Sequence, residues 1–163
     1  MMENIWGRLK EPQKLTLYTG SQSDEVQNDL TKATIRKKVW EFMERNDIAN
    51  FPRPVYHRIP NFKGASAAGD KVTTLSEFQE AKHVKVNPDK PQEEVRFRTL
   101  EAGKTLFVPT PRLTQGLFNR LEPEPGCTKE SLRKMSSRYG IDSLSKPVPM
   151  ASRIKIDLVV IGS

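Results

Sequence analysis

The chain is poorest in the residues that build compact chemistry: 163 residues hold one cysteine, two histidines and nine glycines, no two of them closer than five positions. A lone Cys127 excludes a disulfide scaffold. His57, His83 and Cys127 cannot supply the paired spacings of a zinc module. The glycine spacing leaves no G-x-G phosphate cradle. No stretch approaches the roughly 20 apolar residues that cross a bilayer, so no membrane partner is expected. Ile5–Trp6, followed at once by Gly7–Arg8, is no secretory core, and Glu3 and Glu11 argue against a mitochondrial presequence. The expected compartment is the cytoplasm.

What the chain does have is positive charge. Lys and Arg number 27 against 20 Asp and Glu, a formal +7. The excess is uneven: residues 1–29 carry three basic and five acidic residues, and 24 basic and 15 acidic residues follow. With no sustained periodicity, 1–29 reads as a flexible tail and 30–163 as the folded part.

Ile35, Val39, Phe42 and Met43 fall at i, i+4, i+7 and i+8, which predicts a helix over 30–45 with one buried stripe. Asp29 or Thr31 can cap it, and Glu41 can pair with Arg45. Pro52 and Pro54 make 51–60 extended or irregular, packed through Phe51, Val55, Tyr56 and Ile59. The capping-box spacing of Thr74 and Glu77 predicts a short helix through Lys82. Val84 and Val86, alternating with lysines, predict a half-buried strand. Pro91, Glu93 and Glu94 open a helix that Gly103 closes, and 105–108 is a short strand. Thr128 caps another helix, which Gly140 follows. The run over 154–161 is the strongest strand in the sequence, apolar enough to be buried on both faces. This order implies an α/β layered fold with a largely parallel sheet. Nothing follows the last strand, so the expectation is a fold cut after a central strand.

Few residues offer chemistry. The GASAAGDKV stretch over 64–72 has its lysine one place late for a phosphate loop and Val72 where a magnesium-holding hydroxyl is needed; it reads as a closely packed small-residue helix or turn. Lys32 and Arg36, one helical turn apart, can hold a polyphosphate between a point charge and a fork, or simply form a solvated edge. Arg112 follows a predicted strand end, where α/β sheets place ligands, and is equally readable as a surface arginine. His57 and His83 have no evident nucleophile or acid arranged around them. Cys127, beside Gly126, stands in a turn. Arg133, Lys134, Arg138 and Tyr139 cluster on one predicted helix without the aromatic interleaving of an RNA-reading surface.

The segments FPRPVYHRIPNFKG over 51–64, PDKP over 88–91, KTLFVPTPRL over 104–113, GLFN over 116–119 and DLVVIGS over 157–163 resemble, in order, those of the methenyltetrahydrofolate synthase domain-containing family. That family is similar to the 5-formyltetrahydrofolate cyclo-ligases, which use ATP and magnesium. The resemblance implies a cyclo-ligase-like domain over 30–163. It also implies a phosphate contact by the K-x-x-x-R formed by Lys32 and Arg36, and a strand-then-arginine step at Arg112. It implies RNA binding for whole members, through a recognition domain that this chain lacks. The cyclo-ligase glycine-rich phosphate and magnesium loop, expected after the 157–163 strand, is absent too. The resemblance therefore implies no catalytic residue, metal site or cofactor for this chain, with ATP and magnesium entering only through the family. A residual cyclo-ligase or an ATP- or folate-binding module is the alternative.

Overall fold

The computed structural model describes residues 31–110 and 116–162. The flexible-tail expectation for 1–29 lies outside those residues.

Helix α1 spans Lys32–Arg45, capped by the Thr31 hydroxyl, which accepts from Thr34 N at 3.2 Å. Its apolar stripe was expected to be buried and is not. Ile35 and Val39 are each 47% exposed and Phe42 is 56% exposed. The helix meets the loop that follows it, where Trp40 lies against Tyr56 and His57. Glu41 pairs with Lys37 at 3.8 Å, and not with Arg45. The 46–63 loop is pinned back on α1 by charge. Arg53 donates to Glu44 and Asp47, and Glu44 also accepts from Val55 N. Val55 is thereby fully buried, whereas Phe51 remains outside. The Phe51–Pro52 and Arg53–Pro54 bonds are both cis.

Helix α2 (Ala65–Val72) confirms the closely packed small-residue reading: a Cβ on Gly69 would stand 2.8 Å from the Glu94 Cβ. The capping box at Thr74 does not form. The Thr74 hydroxyl donates back to the Lys71 carbonyl, closing α2, and α3 (Ser76–Glu80) starts without a side-chain cap. Strand β1 (His83–Val86) alternates as expected, with Val84 and Val86 fully buried. A 3-10 turn over Lys90–Gln92 leads into α4 (Glu93–Glu101), and β2 (Thr105–Pro109) follows.

The remaining elements depart further from expectation. Strand β3 (Phe118–Leu121) was not legible, because FNRL neither alternates nor forms an apolar run. Helix α5 (Lys129–Ser136) is capped by Thr128, as expected. Gly140 does not terminate it: Ser137 ends α5 and caps α6 (Arg138–Leu144), so Gly140 lies inside the second helix. A Cβ there would fall 2.1 Å from the Lys134 carbonyl oxygen, and this contact selects glycine. Strand β4 is the pair Lys146–Pro147, and β5 is Leu158–Val160.

The sheet order is β4-β3-β2-β1-β5. Strand β1 runs parallel to β2 and β5, while β3 and β4 add antiparallel pairings. The α/β fold with a parallel centre therefore stands. The fully buried final strand does not: β5 has three residues, lies at the sheet edge, and leaves Val159 56% exposed. Just before it, Asp157 donates its N–H to the His83 carbonyl at 2.9 Å and accepts on its carboxylate from Lys82 N and His83 N, both at 3.0 Å. Helix α4 packs on α2, α5, β1 and β2, and its own Val95, Phe97 and Leu100 share a core with Val84, Val86, Leu106 and Val108 of the sheet.

Two measurements test this account. Gly140→Ala should lower unfolding free energy by about 1–3 kcal/mol in a urea titration, as overpacking does; a change under about 0.5 kcal/mol would mean that the α5–α6 junction yields freely. The second concerns acid. The His83 and Lys82 N–H groups hold the Asp157 carboxyl below its ordinary value. Its contribution is thus full above the unfolded value near ~3.9 and is lost as pH falls through the lower folded value. Amide exchange at Val159 and Val160 should accelerate below about pH 4, and Asp157→Asn should weaken protection at neutral pH and remove that acid dependence. Unchanged acid dependence in Asp157→Asn would refute the tether.

Candidate functional site

In parallel α/β sheets the carboxyl ends of the strands are where ligands bind. Here those ends are Val86 of β1, Pro109 of β2 and Val160 of β5, and the turns leaving them are held unequally. The β1 exit is fixed by Arg96 of α4. Its Nη1 donates to the carbonyls of Asn87 at 2.7 Å and Asp89 at 2.9 Å, while Nε donates to the Ser136 carbonyl at 2.8 Å. One guanidinium thus joins a strand exit, α4 and the end of α5. Arg96 is 1% exposed, and none of these partners is a carboxylate. Burial pulls its pKa down to about 10 against the support of Glu93 and Asp89, and the Arg138 charge adds to the lowering. The group keeps its charge at neutral pH.

One turn before Arg96, Gln92 is 6% exposed, and its Oε1 is buried without a partner. Leaving such an acceptor unpaired costs about 1–3 kcal/mol. Gln92 lies at the β5 exit: a Cβ built on Gly162 would stand 3.6 Å from its Cδ and Nε2, and 3.2 Å from Ile59 Cγ2.

The residues singled out in the sequence do not gather here as a set. Lys32 and Arg36 stand one turn apart on exposed α1, and among the described residues the side chain of neither makes an ion pair or hydrogen bond. Arg112 lies outside the described residues. His57 has a positive φ of 59° and its ring is 5.3 Å from that of Trp40. His83 Nδ1 is 3.0 Å from the Lys155 carbonyl and its ring is edge-on to Phe107. Cys127 is a free, half-buried thiol beside Met135 and Leu144. Arg133 is already engaged, with its guanidinium on the Glu94 carboxylate and 3.6 Å from the centre of the Phe97 ring. Lys134 sits over the exposed Tyr139 ring at 5.6 Å.

A cleft of about 590 Å³ opens at the opposite, amino end of β2, between Asp70, Phe78, Arg98 and Lys104. Its charges are spent on structure. Arg98 donates to Asp70 and Glu101, which drives its own pKa up, and Lys104 donates to the Gln79 and Ala81 carbonyls. Among the described residues, no three His, Cys, Asp or Glu side chains come together, and no helix is long and apolar enough to cross a membrane.

Sequence reasoning missed Gln92 and Arg96. The available signal was positional: a glutamine at a helix start and an arginine between Val95 and Phe97, four residues apart on one helix face.

The sequence profile of the 5-formyltetrahydrofolate cyclo-ligase family matches residues 28–163. The chain is 52% identical over 139 residues to the methenyltetrahydrofolate synthase domain-containing protein of Mus musculus, covering 85% of this chain and 37% of that relative. The proteins of the same name from Danio rerio and Homo sapiens are 54% and 49% identical, over 133 and 134 residues, each match covering 82% of this chain and 35% of the relative. The chain therefore spans little more than a third of the length of these relatives. No solved structure matches it. With a match running almost unbroken through every described element and a parallel β1–α4–β2 centre to carry it, the chain belongs to the 5-formyltetrahydrofolate cyclo-ligase family.

Proposed function

We propose that this chain is the amino-terminal portion or a short isoform of a methenyltetrahydrofolate synthase domain-containing protein, acting in the cytoplasm without catalysis of its own. The observation that carries this reading is the glycine spacing: with no two glycines closer than five positions, the 163 residues contain no G-x-G phosphate cradle, and the 64–72 stretch packs closely as helix α2. Whole relatives would add RNA binding through a separate domain. The basic helix α5 supports direct RNA contact poorly, since Arg133 is committed to Glu94 and Phe97.

A second reading, a nucleotide-binding module, rests on one specific observation. Lys32 and Arg36 stand one turn apart on exposed α1, and among the described residues no carboxylate pairs with either. A point charge and a fork one turn apart can grip two phosphate oxygens. On this reading ATP with magnesium binds, and turnover needs more than these residues.

Two experiments separate the readings. Incubating the purified chain with 5-formyltetrahydrofolate, ATP and magnesium should give no conversion above buffer; turnover abolished by Lys32→Ala would overturn the non-catalytic reading. Calorimetric titration with ATP–magnesium addresses the module. Binding should weaken about tenfold in Lys32→Ala and in Arg36→Ala, the scale of one lost charge-assisted hydrogen bond. No heat at millimolar nucleotide would end that reading.

A further inference from the structure

Helix α1 keeps an apolar stripe open to solvent. No residue of the helix is buried, and Ile35, Val39 and Phe42 all stand exposed along it. At about 3.6 residues per turn, these three fall within about 60° of one another around the axis. The charges of α1 are sorted about that stripe. Lys32 and Arg36 flank it on one side and Lys38 on the other, whereas Lys37, Glu41 and Glu44 stand about 130° or more from its centre. Both acids are also spent: Glu41 pairs with Lys37 at 3.8 Å, and Glu44 with Arg53 at 2.7 Å. Among the described residues, the side chains of Lys32, Arg36 and Lys38 make no ion pair or hydrogen bond.

Whatever covers this stripe must be apolar along the middle and negative along both edges. A second copy of the chain fails that requirement. Two stripes face to face would bring Lys32, Arg36 and Lys38 of both copies to one seam, with no acid turned toward it. A nucleic acid would satisfy the cations and leave the stripe wet. An anionic bilayer surface supplies both parts at once, with charge in the headgroup layer and hydrocarbon directly beneath. We propose that α1 is a docking surface for anionic lipid, lying in the headgroup plane with Ile35, Val39 and Phe42 turned inward and the flanking cations on the headgroups. Among the described residues no helix is long and apolar enough to cross a bilayer, but lying on its surface needs a stripe and not a span. The sequence expectation of no membrane partner is thereby narrowed to spanning segments. The nucleotide-binding reading uses neither the stripe nor Lys38, so the two stand or fall separately.

The test is co-sedimentation of the purified chain with vesicles of phosphatidylcholine, alone or with a minor share of phosphatidylserine. The chain should pellet with the anionic vesicles and not with phosphatidylcholine alone. Val39→Ser and Phe42→Ser should each weaken binding about tenfold, the scale of one buried apolar side chain, and leave the ATP–magnesium titration unchanged. Lys38→Ala should weaken it about fivefold, the scale of one cation at an anionic surface. Lys37→Ala removes the same charge from the opposite face and should cost less than about twofold. Soluble glycerophosphoserine should not displace the chain, because it carries the headgroup without the hydrocarbon. All four substitutions are at exposed positions, and circular dichroism equal to that of the unmodified chain confirms the fold. Absence of binding to anionic vesicles, equal losses from Lys37→Ala and Lys38→Ala, or binding unmoved by both serine variants would overturn the proposal. So would displacement by glycerophosphoserine, or a dimer in analytical ultracentrifugation that Val39→Ser dissociates.

Discussion

The arrangement of helices turns on one buried carboxylate. Glu94 is 7% exposed, and an ionised acid cannot be held there without compensation. Two guanidiniums supply it: Arg98 from the next turn of α4 at 3.1 Å, and Arg133 from α5. Each is thereby drawn into further contacts. Arg98 reaches Asp70 on α2, and Arg133 lies over the Phe97 ring, where the ring quadrupole favours a cation. The Glu94 stem in turn packs against Gly69. Helices α2 and α5 are therefore registered on α4 by one charge and the groups that satisfy it. Because α4 covers β1 and β2, the position of the sheet beneath it follows.

The same helix faces the strand ends with a different set of residues. Gln92 and Arg96 stand one turn apart, as Glu94 and Arg98 do, displaced by two positions around the axis. One pair locks helices together through satisfied charges. The other stiffens the β1 exit through Arg96 and leaves the Gln92 acceptor unpaired. The cleft lined by Arg98 and Lys104 is chemically quiet although it is rich in charge, because those charges are spent on structure.

What was legible in the sequence was local. Alternation at Val84 and Val86, the apolar run of β2 and the Thr31 and Thr128 caps each depend on neighbours a few positions away, and each formed where the pattern placed it. The apolar spacing over 35–43 likewise gave a helix where one is found, over Lys32–Arg45. What failed depended on distant partners. The α1 stripe has the period of a buried face, but periodicity cannot say whether anything packs on it. The 154–161 run is apolar enough for a central strand, yet its place in the sheet is set by pairing with β1 alone. Strand β3 is held by its antiparallel register with β2, which FNRL does not advertise. Gln92 was invisible for the same reason: its importance comes from Gly162, seventy residues away.

The Asp157 tether also bears on the order of assembly. Its bonds to Lys82 and His83 close loops of 75 and 74 residues for a strand of only three. Loop-closure entropy rises with the logarithm of length and must be met before the contact returns anything. The units β1, α4 and β2 need far shorter closures and bury the main core. They form the natural nucleus, onto which β5 docks as a late step. In that sequence of events the backbone amides of Lys82 and His83 wait as a preformed docking site for an incoming carboxylate, and the rate at which the sheet gains its fifth strand is governed by the search of a long chain for one small target.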